Sequence, residues 1–310
     1  MMLSRVAEAL YWTGRYVERA EDTSRLLDVQ MQALLEDPWG DEEAACVGLL
    51  RTMGIDDVEP PVDLGATTQR LAFSAADTSS IAGAWSAARD NARGAREILS
   101  SEVWECLNGT FHELAAFERS SARVGPGRFL RHVRERSATV SGLVEGTMPK
   151  DDAWRFLVLG RSIERVDMTA RLLWVGLHGT SPSWVALLKC CSAHEAYLRT
   201  YRVAPEPGRV LEFLLLDRLF PRSVFASLVQ AEVCLEALEP TSGRVGVQDE
   251  ARRQLGRLRT DLEFHRPADL VADLSEVLSD LQTTCAEVGR LVAAKHFRAD
   301  RGDSWGVEAG

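Results

Sequence analysis

Along most of this chain apolar residues recur at the three- and four-residue spacing of a helix buried on one face, and no bounded run alternates with period two. The pattern predicts an all-α fold. A first helix is expected over residues 3–35, broken near Asp37-Pro38-Trp39-Gly40, with a shorter one reaching about Met53. Pro60-Pro61 and the acids around them make 55–66 a loop. Asp77-Thr78-Ser79 reads as the N-cap of a helix through Leu99, and Ser101 with Trp104 opens the next, which ends near Gly125-Pro126-Gly127. Further helices are expected over 129–146, from Pro149-Lys150-Asp151 to Leu177, over 184–201, from Pro221 as first helical residue to Leu238, and over 270–295. His178-Gly179-Thr180-Ser181-Pro182, 204–208 and 241–246 punctuate them, and 301–310 has the composition of a frayed tail.

Two of these helices carry nearly the same text. GRYVERAEDTSRLLDV begins at Gly14 and GRSIERVDMTARLLWV at Gly160, and nine of the sixteen positions are identical at an offset of 146. Ser80-Ile81 and Ser223-Val224, each leading into a helix, stand 143 residues apart. The expectation is a single domain over 3–297 built from two repeats, about 3–125 and 127–297, with a flexible tail at 298–310. Such a chain folds as an internally duplicated helical bundle with pseudo-two-fold related halves, the repeated helices near the axis.

The repeated text is unusually charged. On a helical wheel Arg15, Glu18, Arg19, Glu21, Asp22 and Arg25 share a sector of about 160° opposite Leu10, Val17, Ala20 and Leu27. A solvent face would drift, because surface substitutions cost little, yet Arg15/Arg161, Glu18/Glu164, Arg19/Arg165 and Arg25/Arg171 match, and Glu21 pairs with Asp167. In the second helix Met168, Leu172, Trp174 and Val175 flank the charges, so protein is expected to cover them and they must be paired or hold something. Three uses fit. An internal Arg–Glu ladder would fix the register of the halves. The guanidinium forks of Arg15, Arg19, Arg25, Arg161, Arg165 and Arg171 would suit an anionic or peptide ligand, with Glu18, Glu21, Glu164 and Asp167 as orienting partners. Acid–base catalysis by Glu18 and Glu164 is the third, opposed by arginines that would depress their pKa values.

Composition narrows the field. The 310 residues carry a net charge of −10, which argues against nucleic acid and against an anionic membrane surface. Only Lys150, Lys189 and Lys295 accompany the arginines, so lysine chemistry has few candidates. Six cysteines form no C-x-x-C pair and lie in apolar helical contexts, which suggests reduced, buried thiols and a cytoplasmic protein. No Glu stands three residues before a His, so a carboxylate-bridged di-metal centre lacks its motif; no phosphate-binding loop or nucleophile elbow is present, and no metal or cofactor is expected. Secondary candidates are Arg89 and Asn91 in ARDNAR, read as a helix–helix hydrogen bond or a ligand contact, and Arg222 in FLLLDRLFPRSV, at a helix start that could seat an anion.

The segments MLSRVAEALYWTGRYVERAEDTSRLL, ARDNARGAREILS, EVWECLN, WRFLVLGRSIERVDMTARLL and FLLLDRLFPRSV together resemble the bacterial alpha-E domain family, over nearly the whole chain. Glu18 and Glu164 with their Gly-Arg lead-ins fit that family's pattern, and Asp167 shortens one arm where the first copy has Glu21. The resemblance implies a companion of a circularly permuted ATP-grasp ligase, sometimes fused to it, and of transglutaminase-like peptidases. The expected role is a non-catalytic accessory or substrate-presenting protein of amide or peptide ligation. An enzyme of amide-bond chemistry using Glu18 and Glu164, and a scaffold whose charge ladder is purely structural, are the alternatives.

Overall fold

The computed structural model describes residues 2–297 apart from 38, 60, 179–182 and 242. It is all-helical, and no described helix is long and apolar enough to cross a membrane. Among the described residues thirteen α-helices follow one another: α1 Ser4–Glu36, α2 Glu42–Thr52, α3 Leu64–Thr68, α4 Ile81–Gly94, α5 Ser101–Val124, α6 Gly127–Thr147, α7 Asp152–His178, α8 Trp184–Cys190, α9 His194–Tyr201, α10 Pro207–Leu216, α11 Val224–Leu238, α12 Glu250–Phe264 and α13 Leu270–Val292. A π-helical turn, Gln69–Phe73, continues α3, and another, Ala293–Phe297, ends α13.

Helices α1 and α7 form the centre and pack along each other. Against α1 lie α4 and α6, with α5 between them; against α7 lie α11 and α13, with α12 between them. The core runs through both sets without a gap, from Leu10, Leu27 and Trp85 to Leu159, Phe213 and Leu281. What lets the central pair approach is glycine: a Cβ on Gly14 would collide with the Leu157 carbonyl oxygen, and one on Gly160 with the Tyr11 carbonyl oxygen. Position 11 stands to 157 as 14 stands to 160, so the contact is reciprocal at the offset of the repeated text.

Several boundaries differ from the sequence expectation. The helix expected over 184–201 is two, because Ser192 takes a left-handed φ of 55° and turns the chain between α8 and α9. Pro207 begins α10 inside the expected loop, its missing N–H costing nothing at a first turn. Pro221 does not start α11; Ser223 caps it, its Oγ accepting from the Ala226 N–H. Ser80 caps α4 in the same way through Gly83, while Asp77 accepts from Ser79 in the preceding turn. Helix α4 stops at Gly94 rather than Leu99. Helix α12, and α3 with its π turn, had no counterpart in the sequence pattern. The readings of 179–182 as punctuation and 298–310 as tail lie outside the described residues.

Candidate functional site

One turn beyond the glycine crossing, α1 and α7 exchange charges. Glu164 on α7 accepts from Arg15 Nε at 2.6 Å and from both Nε and Nη2 of Arg19, the latter at 3.1 Å. Glu18 on α1 accepts from Arg165 through a fork, Nε and Nη2 each at 2.8 Å. Each Glu-Arg dipeptide therefore gives its carboxylate to the other's guanidinium. Both carboxylates are 1% exposed, so α1 and α7 together with their neighbours seal them from water.

From this crossing two chains of alternating charge extend. The first runs Arg19, Glu164, Arg15, Asp167, Arg171: Arg15 Nη2 lies 3.9 Å from Asp167, and Arg171 Nε donates to Asp167 at 3.1 Å. The second runs Arg165, Glu18, Arg222, then Glu21 and Asp22, then Arg25. Arg222, from the turn before α11, reaches Glu18 at 2.8 Å, Glu21 at 3.2 Å and Asp22 at 2.6 Å, and Arg25 donates to Glu21 through Nε and Nη2. Aromatic rings back the first chain, Arg15 standing 5.4 Å over Trp12 and Arg19 5.5 Å over Tyr16, whose rings stack on each other.

The electrostatics follow from burial and these partners. Burial pushes the Glu18 carboxyl up, but Arg165 and Arg222 more than offset it and hold its pKa at about 2. Glu164 is likewise held below the ordinary carboxylate value, burial being outweighed by Arg15 and Arg19. Asp22 goes the other way: burial raises it well above its ordinary value, Arg222 opposes, and the neighbouring Glu18 and Glu21 add to the rise. One guanidinium shared among three carboxylates cannot stabilise all three anions equally. Asp167 is also raised, by burial against the pull of Arg171.

All the sequence candidates on α1 and α7 thus lie along the crossing, but not all join the chains. Arg161, the counterpart of Arg15, pairs outward with Glu145 of α6 at 3.1 Å. Arg89 donates to Asn108 and Asp90 and lies over Phe111, on α4 and α5 away from the crossing. Asn91 Nδ2 donates to the Ala87 carbonyl of its own helix, and the helix–helix hydrogen bond expected of this segment is the one from Arg89 on α4 to Asn108 on α5. Arg222 joins through its side chain rather than by a helix N-terminus. Asp22 and Trp12, absent from the sequence candidates for binding, belong to the site; the four-residue step from Glu18 to Asp22 along the stripe was the available signal for the first.

Among the described residues no group of three or more His, Cys, Asp or Glu is placed to hold a metal ion. All six cysteines are free and buried, and burial pushes the Cys191 thiol to about 12 and the Cys234 thiol to about 11. Thiolate chemistry at neutral pH is thereby removed from these positions.

Residues 2–297 match the model of the Alpha-E family, described as a predicted alpha-helical domain with a conserved ER motif. The chain has four Glu-Arg dipeptides, beginning at Glu18, Glu118, Glu135 and Glu164, and the first and last are the two that cross. An uncharacterised protein of Mycobacterium bovis is 25% identical over 347 residues, covering 98% of this chain and 38% of the relative. Two uncharacterised proteins of Mycobacterium tuberculosis are 25% identical over the same share of each chain. The chain thus spans 38% of the length of these relatives. No solved structure matches it.

Proposed function

This chain belongs to the Alpha-E family, and from that premise we propose that it is a non-catalytic accessory domain of an ATP-grasp-dependent amide or peptide ligation system, receiving an anionic group of the substrate at its Arg/Glu crossing. In this reading the ER motif of the family is the crossed pair at Glu18-Arg19 and Glu164-Arg165. The observation that carries the non-catalytic role is the state of the two glutamates. Each is 1% exposed and held by two arginines, with its pKa depressed. A general acid needs a proton near neutral pH and a path to the reacting atom, and neither glutamate has one.

The partner is a circularly permuted ATP-grasp ligase, with a transglutaminase-like peptidase as a further companion, and the setting is the cytoplasm. One fact supports an accessory role and another the setting. The relatives are longer than this chain, so there the matched region shares a polypeptide with other segments. The sealed thiols suit a reducing compartment. No nucleic acid or membrane enters this reading, in keeping with the net charge of −10.

Co-purification of the chain with the ligase, followed by product formation with and without the chain, tests it. The expected result is stable association, stimulation of the ligase, and no turnover by the chain alone. A pure amide-hydrolysing or amide-forming activity of the isolated chain, lost in Glu18→Gln, would overturn it.

A further inference from the structure

Helix α11 is apolar on two sides. Leu228, Ala231 and Leu235 form its buried stripe. Ala226, Val229, Val233 and Ala237 form a second stripe opposite the first, within a sector of about 80°. Val229 is 36% and Val233 52% exposed. The architecture does not demand this surface. Counted from the capping serines Ser80 and Ser223, the residues of α4 in the places of Val229 and Val233 are Ser86 and Asp90, and Asp90 is paired with Arg89 and Arg93. A polar face therefore serves α4 where α11 shows valines.

The second stripe borders a groove of about 500 Å³ between α11 and α12, floored by Phe225, Val229 and Val233 and walled by Glu232, Arg259 and Glu263. The wall charges satisfy one another, Arg259 donating from Nε to Glu232 at 2.6 Å and from Nη1 to Glu263. The two ends carry opposite charge. At the head Arg218 stands 5.0 Å over the Phe225 ring, and at the foot, about three turns further along α11, is Glu236; both are exposed. An apolar floor with paired walls and a charged rim is the anatomy of a protein interface.

The order of these features along α11 selects the occupant. The pairs Val229 and Val233, Ala226 and Ala237, and Phe225 and Glu236 all have their midpoints between residues 230 and 232. The stripe thus reads the same in both directions while its ends are opposite in charge. A second α11 laid antiparallel on the first sets each Val229 against the other copy's Val233, and each Arg218 beside the other copy's Glu236. We propose that this groove is the contact of a two-fold homodimer, with α11 of each copy lying antiparallel along the α11–α12 groove of the other. Every contact in such an interface occurs twice, and α11 and α12 of the two copies make a four-helix bundle. Leu219 and Phe264, next in the chain to the Arg218–Glu263 ion pair and both exposed, extend its apolar area. A dimer of this kind goes beyond the accessory role proposed above and does not depend on it.

Sedimentation velocity of the full chain at stepped concentrations tests the proposal, up to about 100 μM, well above the micromolar-to-picomolar range of standard interfaces. A monomer–dimer equilibrium is expected. Val229→Asp, with its fold checked by circular dichroism, should raise the dimer dissociation constant about a hundredfold, because it buries two unpaired carboxylates near the two-fold axis. Arg218→Glu or Glu236→Arg alone should raise it about tenfold, two rim pairs turning repulsive together, and the two reversals combined should restore wild-type affinity. The two side chains stand at opposite ends of one α11, so only contact between copies lets one reversal repair the other. If Val229→Asp does not fold, the reversals decide alone. A monomer at every concentration, a folded Val229→Asp variant that dimerises like wild type, or a double reversal no tighter than the single ones overturns the proposal. So does a monomer whose co-purification with the ligase is lost in folded Val229→Asp, the groove then taking another protein.

Discussion

At position 18 a carboxylate that water scarcely touches sits between two guanidiniums, and its proton equilibrium is bound to the fold. Its ordinary pKa of 4.5 falls to about 2 on folding. A group with a depressed folded value adds stability that is complete above 4.5 and is lost as pH falls toward 2. Glu18→Gln should therefore flatten the loss of stability across that window, read from urea unfolding at stepped pH; an unchanged slope would place the acid sensitivity elsewhere. Asp22, raised on folding, acts with the opposite sign, its effect appearing as pH climbs past its ordinary value. That these charges would be covered was legible in the sequence, because matched charges between apolar neighbours have no reason to persist on a solvent face. Which charge meets which was not. A helical wheel offers partners on the same helix, such as Arg25 with Glu21, which form. It cannot show that Glu18 and Glu164 trade arginines across a crossing, nor that Arg222 arrives from a turn some two hundred residues away in sequence.

The crossing itself belongs to the scale of helices. Reciprocal contacts of Gly14 with Leu157 and Gly160 with Tyr11 bring α1 and α7 close enough for short side-chain bridges. An added methyl at either glycine meets backbone, which cannot rotate away as a side chain can. Gly160→Ala should thus destabilise by about 3 kcal/mol, the upper part of the range for overpacked cores, despite alanine's better helix propensity. A denaturation midpoint equal to or above wild type would show that the helices separate freely. Long helices with one apolar face, α1, α5, α6, α7 and α13, could be read from periodicity within a few residues. The short α2 and the apolar α11 were also legible, whereas the division into α8 and α9, and α10, were not. VALLKCCSAHEAYL gives no sign of the left-handed Ser192 that divides α8 from α9, and the apolar run in α10 hides a helix behind the proline that starts it.

For the whole molecule, the packing order carries a consequence that neither residues nor single helices show. Helices α4, α5 and α6 follow α1 in the same neighbour relations as α11, α12 and α13 follow α7, and Ser80 and Ser223 cap the first of each series while donating to the carbonyls of Ser74 and Asp217. We propose that these are two repeats whose seam is the α1–α7 contact. Each repeat then lends its first helix to the shared centre, so neither keeps a complete core without the other. Breaking a buried pair by removing one charge costs on the order of 3–5 kcal/mol, and at this seam the loss falls on both sides together. Glu164→Gln should accordingly lower the thermal midpoint in a single transition, with amide exchange rising alike in α4–α6 and α11–α13. Two transitions, or faster exchange confined to the series on α7, would mean that the halves are stable separately and that the crossed glutamates join them without completing them.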